Sequence, residues 1–177
     1  MTEKSNIILV TVDCLRNDFY KKNESEHEFN NFISNISTYF PNCFSLAHDT
    51  GTSFAQFLSS TYIDLIARDQ SISPEKVDHN RYRLIRPRIS IAETLKAEGY
   101  HTYGFQTVPR LSSFYGYDKG FDYYRYFNPM KDRIPGIDKL YKKPSISSKK
   151  LNEYIIKKEF REPYFLWIHY NDAHEPY

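Results

Sequence analysis

Cysteine is scarce in this chain: Cys14 and Cys43 are the only two among 177 residues. That rules out a disulfide framework and fits a reducing compartment. No apolar run approaches the roughly 20 residues that a membrane-spanning helix needs. Met1-Thr2-Glu3-Lys4 leads directly into a strand-like run, with no long apolar segment and no small-residue cleavage site of a secretory signal. A cytoplasmic location is therefore expected. Charge of one sign is also lacking, with 24 basic against 22 acidic residues and a net charge of +2. Such a balance argues against a nucleic-acid partner, and the basic, aromatic stretch from Lys131 to Lys158 reads as a solvated loop and helix face. No Gly-x-Gly-x-x-Gly follows the first strand-like run, which argues against a Rossmann-type nucleotide binder. Internal repeats and low-complexity linkers are absent, so residues 1–177 are expected to form a single domain.

What is present fits a globular α/β domain. The chain is 40% hydrophobic, 26% charged and 17% aromatic, with a mean hydropathy of −0.65. The Tyr and Phe residues read mainly as amphipathic packing. The most informative segment runs from Asn6 to Asp18. Its β-branched run over residues 6–12 predicts a buried parallel strand that ends abruptly at Asp13. Open α/β sheets place their chemistry at the C-terminal ends of their strands. Asp13 is thus either a metal ligand or catalytic carboxylate, or simply a cap for the next turn.

Strand-like and helix-like patterns then alternate. Phe29, Phe32, Ile33 and Ile36 recur at helical spacing. Thr38 to Leu46 reads as a short aromatic strand. Ser53 is placed as the N-cap of a helix over Phe54 to Leu58. Residues 64–89, with Pro74 and Pro87, read as a long loop. Ser90-Ile91-Ala92-Glu93 matches a capping box, with Gly99 ending that helix. Tyr100 to Gln106 reads as a strand, and residues 115–146 as irregular. A helix is expected from Ser147 or Ser148 to about Lys158, and a buried strand over Pro163 to Tyr170. This order predicts a mainly parallel sheet with helices on both faces.

Three groups of residues carry possible chemistry. Asp13 follows the first strand, and His169, Asp172 and His174 lie at the end of the last. Parallel strands align these ends, and Asp with His suits divalent metals. His169, inside an apolar strand, reads as a core residue, whereas His174, beyond the strand in a polar turn, reads as functional. The third group is Ala47-His48-Asp49-Thr50-Gly51-Thr52-Ser53-Phe54, a hydroxyl-rich turn entering a helix. Its N-terminus offers free N–H groups to an anion, and a hydroxyl there can serve as a nucleophile, or merely as a cap.

In this order the segments resemble the N-terminal part of the sulfatase and alkaline-phosphatase superfamily. Asn6 to Asp18 is similar to the opening strand and its metal-binding Asp. Thr50-Gly51-Thr52-Ser53 with Leu58-Ser59-Ser60-Thr61-Tyr62 is similar to the nucleophile turn and helix. Ile91 to Thr102 with Gly120-Phe121-Asp122 is similar to the middle helix–strand unit. Pro163 to Tyr177, ending in His174-Glu175-Pro176-Tyr177, is similar to the strand that carries a substrate-contacting His.

The resemblance implies an α/β alkaline-phosphatase-like domain, apparently truncated at its C-terminus. It implies a divalent metal (Zn, Mn, Ca or Mg) held by Asp13 and Thr50. Thr50 and His174 are the implied catalytic residues, with Ser53 and His174 as substrate contacts and Thr52 or Ser53 as alternative nucleophiles. The implied substrate is a small phosphate or sulfate ester. Three departures stand out. Cys14 occupies the place of a second Asp. Thr50 replaces the Cys of Cys-x-Pro-Ser-Arg that becomes formylglycine, and Phe54 replaces its Arg. The later Asp-His or Asp-Asn metal ligands lie past Tyr177. Thr or Ser nucleophiles resemble the phosphoryl-transfer branches, including phosphomonoesterases, phosphodiesterases and phosphoethanolamine transferases. The alternative expectation is a catalytically incomplete domain acting as an interaction module, with self-association through an exposed sheet edge.

Overall fold

The computed structural model describes residues 4–18, 28–62, 89–127 and 146–173. Within them, four strands form one parallel sheet: β1 (Ile7–Val12), β2 (His101–Gln106), β3 (Tyr123–Tyr126) and β4 (Tyr164–Tyr170), in the order β1-β4-β2-β3. The helices are α1 (Glu28–Ile36), α2 (Thr50–Ser59), α3 (Ile91–Ala97) and α4 (Ile146–Lys157), with single 3-10 turns at Pro109–Leu111 and Ser113–Tyr115.

Side-chain alternation along β4 divides the core into two layers. Phe165 and Trp167 point to the face covered by α2 and α3, where they join Ala55, Leu58, Ala92, Leu111 and Tyr117. Leu166 and Ile168 point to the other face and pack with Phe105, Phe127 and Leu151 of α4. Helices therefore flank both faces, as the alternating pattern predicts. β4 is central and almost wholly buried, which explains its unbroken apolar sequence.

The middle unit shows how local signals set this geometry. Ser90 caps α3 by accepting from the Glu93 N–H at 3.1 Å, while Glu93 accepts from the Ser90 N–H at 2.9 Å. Gly99 ends the turn at φ +86°. Gly120, at φ +88°, passes so close that an added Cβ would lie 2.4 Å from the Glu93 backbone nitrogen. Phe121 then stacks on Phe165 and Trp167, and Asp122 accepts from the Thr102 N–H at 2.9 Å. Gly120-Phe121-Asp122 is thus a clasp that holds the β3 approach against α3 and β2.

Four local expectations are corrected. The run over residues 6–12 is a parallel strand, but among the described residues β1 has a neighbour on one side only, and its Ile8 and Val10 are exposed rather than buried. Thr38 to Leu46 forms turns and bends rather than a strand. Pro41 lacks an N–H for a ladder, and Phe40 and Phe44 are exposed, with no sheet neighbour to cover them. Ser53 is not the N-cap of α2. Asp49 holds that place, accepting from the Thr52 N–H at 2.9 Å, so the helix begins at Thr50. A charged carboxylate satisfies a helix N-terminus at least as well as a hydroxyl. Residues 115–146, read as irregular, contain β3. Its Tyr-Tyr-Arg-Tyr sequence lacks the aliphatic alternation that marks a strand. Nearly all of the expected 64–89 loop lies outside the described residues.

Candidate functional site

The C-terminal ends of β1, β4 and β2 lie side by side. Thr11 is in register with His169, Val12 with Tyr170, and Gln106 with His169. The Asp13 N–H continues the ladder to the Tyr170 carbonyl at 2.8 Å, which fixes the Asp13 backbone at the mouth of the sheet. The chain then turns sharply through Cys14, whose φ of 55° is left-handed. The Cys14 Sγ lies 3.6 Å from Asp13 Oδ1.

Helix α2 brings Thr50 to the same place. As the first residue of the helix, Thr50 donates from Oγ1 to Asp13 Oδ2 at 2.9 Å. The Asp13 side chain is only 11% exposed. The sheet end and the helix start thus converge on one carboxylate–hydroxyl pair, although 37 residues separate them in sequence. A hydroxyl hydrogen-bonded to a carboxylate at a helix N-terminus is equipped to lose its proton and to face an anionic group.

His169 lies directly behind this pair. Alternation along β4 turns it to the α2 face together with Trp167, and it is fully buried. Its Nδ1 sits 2.9 Å from Thr11 Oγ1, which also accepts from Trp167 Nε1 at 3.0 Å. Phe54 and the imidazole pack in a T-shaped contact at a centroid distance of 4.7 Å. Its Nε2 lies 4.0 Å from Asp13 Oδ2 and has no hydrogen-bond partner. Burial pulls the His169 pKa down to about 4, against the opposing effects of the Asp13 charge and a hydrogen bond to the Thr11 backbone. The ring is therefore neutral at physiological pH.

Asp13 and Thr50 are brought together as their places in the sequence suggest. Ser53 is not. Its hydroxyl donates to the Ala47 carbonyl at 2.9 Å and meets Ser45 Oγ at 3.0 Å, which ties down the turn before the helix. Thr52 is buried within the helix. Phe54 lines the core between Trp167 and His169 rather than offering a substitute for a cationic side chain. Asp172 accepts from the Ser148 hydroxyl and so ties the end of β4 to α4. His174 lies outside the described residues. His169, read as a core residue, is buried in the core, and its Nε2 also faces Asp13. The signal for that second feature was the two-residue step from Trp167, which puts it on the face of the helix carrying Thr50.

The donors suit a divalent cation. A carboxylate, a hydroxyl and an orphaned buried imidazole nitrogen meet at one point, an oxygen–nitrogen set of the kind zinc and manganese take. The set is partial: among the described residues, no three His, Cys, Asp or Glu side chains gather as a metal site.

The sulfatase family profile matches residues 5–177. No curated protein sequence matches the chain. Among solved structures, the fold is similar to the C-terminal periplasmic domain of EcEptC from Escherichia coli, a complex with zinc, at a TM-score of 0.58 and 14% identity. That match covers 96% of this chain and 43% of the other. No helix among the described residues is long and apolar enough to cross a membrane.

Proposed function

The chain belongs to the sulfatase family, and on that premise we propose that it carries the nucleophile side of a metal-dependent site that transfers phosphoryl groups from small phosphate esters. The observation behind this reading is the 2.9 Å hydrogen bond from Thr50 Oγ1 to Asp13 Oδ2 at the start of α2. Asp13 and Thr50 would hold the divalent cation, which when bound supplies positive charge beside the transferred group. The Thr50 oxygen attacks phosphorus as its proton passes to Asp13. The phosphorus–oxygen bond to the leaving group breaks, leaving a phosphothreonine ester that water or an acceptor hydroxyl then cleaves. His174 is assigned the proton that the leaving oxygen takes up. The free N–H groups at the start of α2 favour the transferred anion.

Phosphate is preferred to sulfate for a chemical reason. Thr50 cannot become a formylglycine aldehyde, and Phe54 is committed to packing on His169 and Trp167. The test is turnover of aryl phosphate, phosphodiester and aryl sulfate with added zinc, manganese or calcium, with mass spectrometry of the trapped protein. Phosphate addition at Thr50 supports the reading, and turnover that survives Thr50→Ala refutes it.

The partial donor set favours a second reading, a catalytically incomplete domain that acts as an interaction module. Among the described residues β1 lies at an edge of the sheet, and its Ile8 and Val10 side chains are exposed. An edge of that kind would pair with a second copy of the chain. Purification without stoichiometric metal, together with a concentration-dependent dimer, would favour this alternative.

A further inference from the structure

Two buried side-chain nitrogens among the described residues meet no close hydrogen-bond acceptor, Gln106 Nε2 and His169 Nε2, although the Gln106 amide interacts with the Tyr124 hydroxyl. Gln106 uses its other amide atom, Oε1, to accept from the Val108 N–H at 2.6 Å, so it serves the backbone where β2 ends. His169 serves no such turn. The cost of leaving a buried polar atom unpaired is about 1–3 kcal/mol, so an orphan at a sheet end calls for an explanation.

The surroundings of the ring fix the direction of this atom. Thr11 Oγ1 holds Nδ1 at 2.9 Å and is itself held by Trp167 Nε1 at 3.0 Å. Phe54 and the ring meet in a T-shaped contact. With one nitrogen anchored and Phe54 packed beside the ring, Nε2 lies 4.0 Å from Asp13 Oδ2. That gap is too long for a hydrogen bond. A tetrahedral zinc with bonds of about 2.1 Å would set two donors roughly 3.4 Å apart. An approach of the two side chains by about 0.6 Å would let both donate to one ion, with no separation of β1 and β4. The anchored far nitrogen is also what orients a metal-binding histidine.

We propose that His169 Nε2 is a direct ligand of the cation held by Asp13, giving the site a nitrogen donor and a preference for zinc over calcium. The inference rests on the reading that Asp13 holds a cation. Calcium and magnesium take oxygen ligands and gain little from an imidazole, whereas zinc binds one readily.

The experiment uses the full chain with ¹⁵N-labelled histidine, stripped with chelator and titrated separately with zinc and calcium. The imidazole nitrogens are followed by NMR, and the His169 signals are assigned by through-bond correlation to the sequentially assigned backbone of a ¹³C,¹⁵N-labelled sample of the unaltered chain. The expected result is that zinc moves the Nε2 resonance of His169 to a metal-bound position and calcium leaves it in place. His169→Gln should weaken zinc about tenfold or more and change calcium affinity less than twofold. The spectra of the unaltered chain carry the test even if the buried variant folds poorly. Zinc binding that Asp13→Asn abolishes, with His169 Nε2 unmoved, would overturn the inference and leave the metal-dependent reading standing. A chain that binds no zinc at all would overturn both.

Discussion

Thr50 Oγ1 donates to Asp13 Oδ2 at 2.9 Å, joining the first residue of a helix to the residue that ends a strand. Each side chain depends on the other for its place. On the proposed function, replacing Thr50 with Ala would remove the nucleophile, and replacing Asp13 with Asn would remove the charge that accepts its proton. Each change is expected to lower phosphoester turnover on the order of 10³-fold or more. Thr50→Ser keeps the hydroxyl and should retain a measurable fraction. Circular dichroism and thermal unfolding must show the fold intact in each variant. Turnover within a few fold of the unaltered chain in Asp13→Asn or Thr50→Ala would remove that residue from the chemistry.

The cap of α2 sets where Thr50 sits. Asp49 accepts from the Thr52 N–H, and without that carboxylate the first turn loses a partner and a favourable charge. Asp49→Ala is expected to cost about 0.5–2 kcal/mol in chemical denaturation. It should also lower turnover, because the first turn frays around the nucleophile. Asp49→Asn should recover most of the stability. If Ser53→Ala proved as costly as Asp49→Ala, the helix start would lie where the sequence alone suggests.

Much of this arrangement is legible without coordinates. The abrupt Val12-Asp13 boundary, the Ser90-to-Glu93 capping box and the dense run from Tyr164 to Tyr170 each carry a local signal that survives folding. Other features depend on contacts that no local pattern encodes. Thr38 to Leu46 has the aromatic content of a strand but finds no neighbour to pair with. Both Asp49 and Ser53 are good caps in isolation, and the position of Thr50 against Asp13 selects the earlier start. His169 looks like core because it is core. Its proximity to Asp13 arises only when β4 inserts between β1 and β2, a pairing across more than 150 residues.

Gly120 offers a test of the clasp between α3 and β3. Its φ of +88° disfavours any side chain, and a Cβ would lie 2.4 Å from the Glu93 nitrogen, which is backbone and cannot swing aside. Gly120→Ala should therefore destabilise by about 2 kcal/mol or more, combining the conformational penalty with the steric one. Gly99→Ala shares a positive φ, but nothing lies within 4 Å of its added Cβ. It should cost only about 1 kcal/mol. Equal losses in the two variants, measured by denaturant titration, would show that the close approach at Gly120 contributes nothing beyond its dihedral angle.

The same clasp gives the fold an acid-sensitive side. Burial pushes the Asp122 carboxyl up, but the Lys96 ammonium at 2.6 Å and the Thr102 N–H at 2.9 Å outweigh it and hold the pKa below the ordinary carboxylate range. Burial likewise opposes ionisation of Glu93, and the Ser90 N–H at 2.9 Å and Lys119 at 3.2 Å outweigh it. Both groups bind protons less readily folded than unfolded. Their stabilisation is fully present above the unfolded carboxylate value of about 4, and it is lost as pH falls through the lower folded values. Both ion pairs are partly exposed, so the effect is modest and shrinks with added salt. Denaturation midpoints between about pH 3 and 7 should fall towards acid in the unaltered chain. The decline should flatten in Asp122→Asn and flatten further when Glu93→Gln is added. An acid slope unchanged in the double variant would mean that other carboxylates carry the linkage, and that the clasp holds β2 and β3 by packing and neutral hydrogen bonds alone.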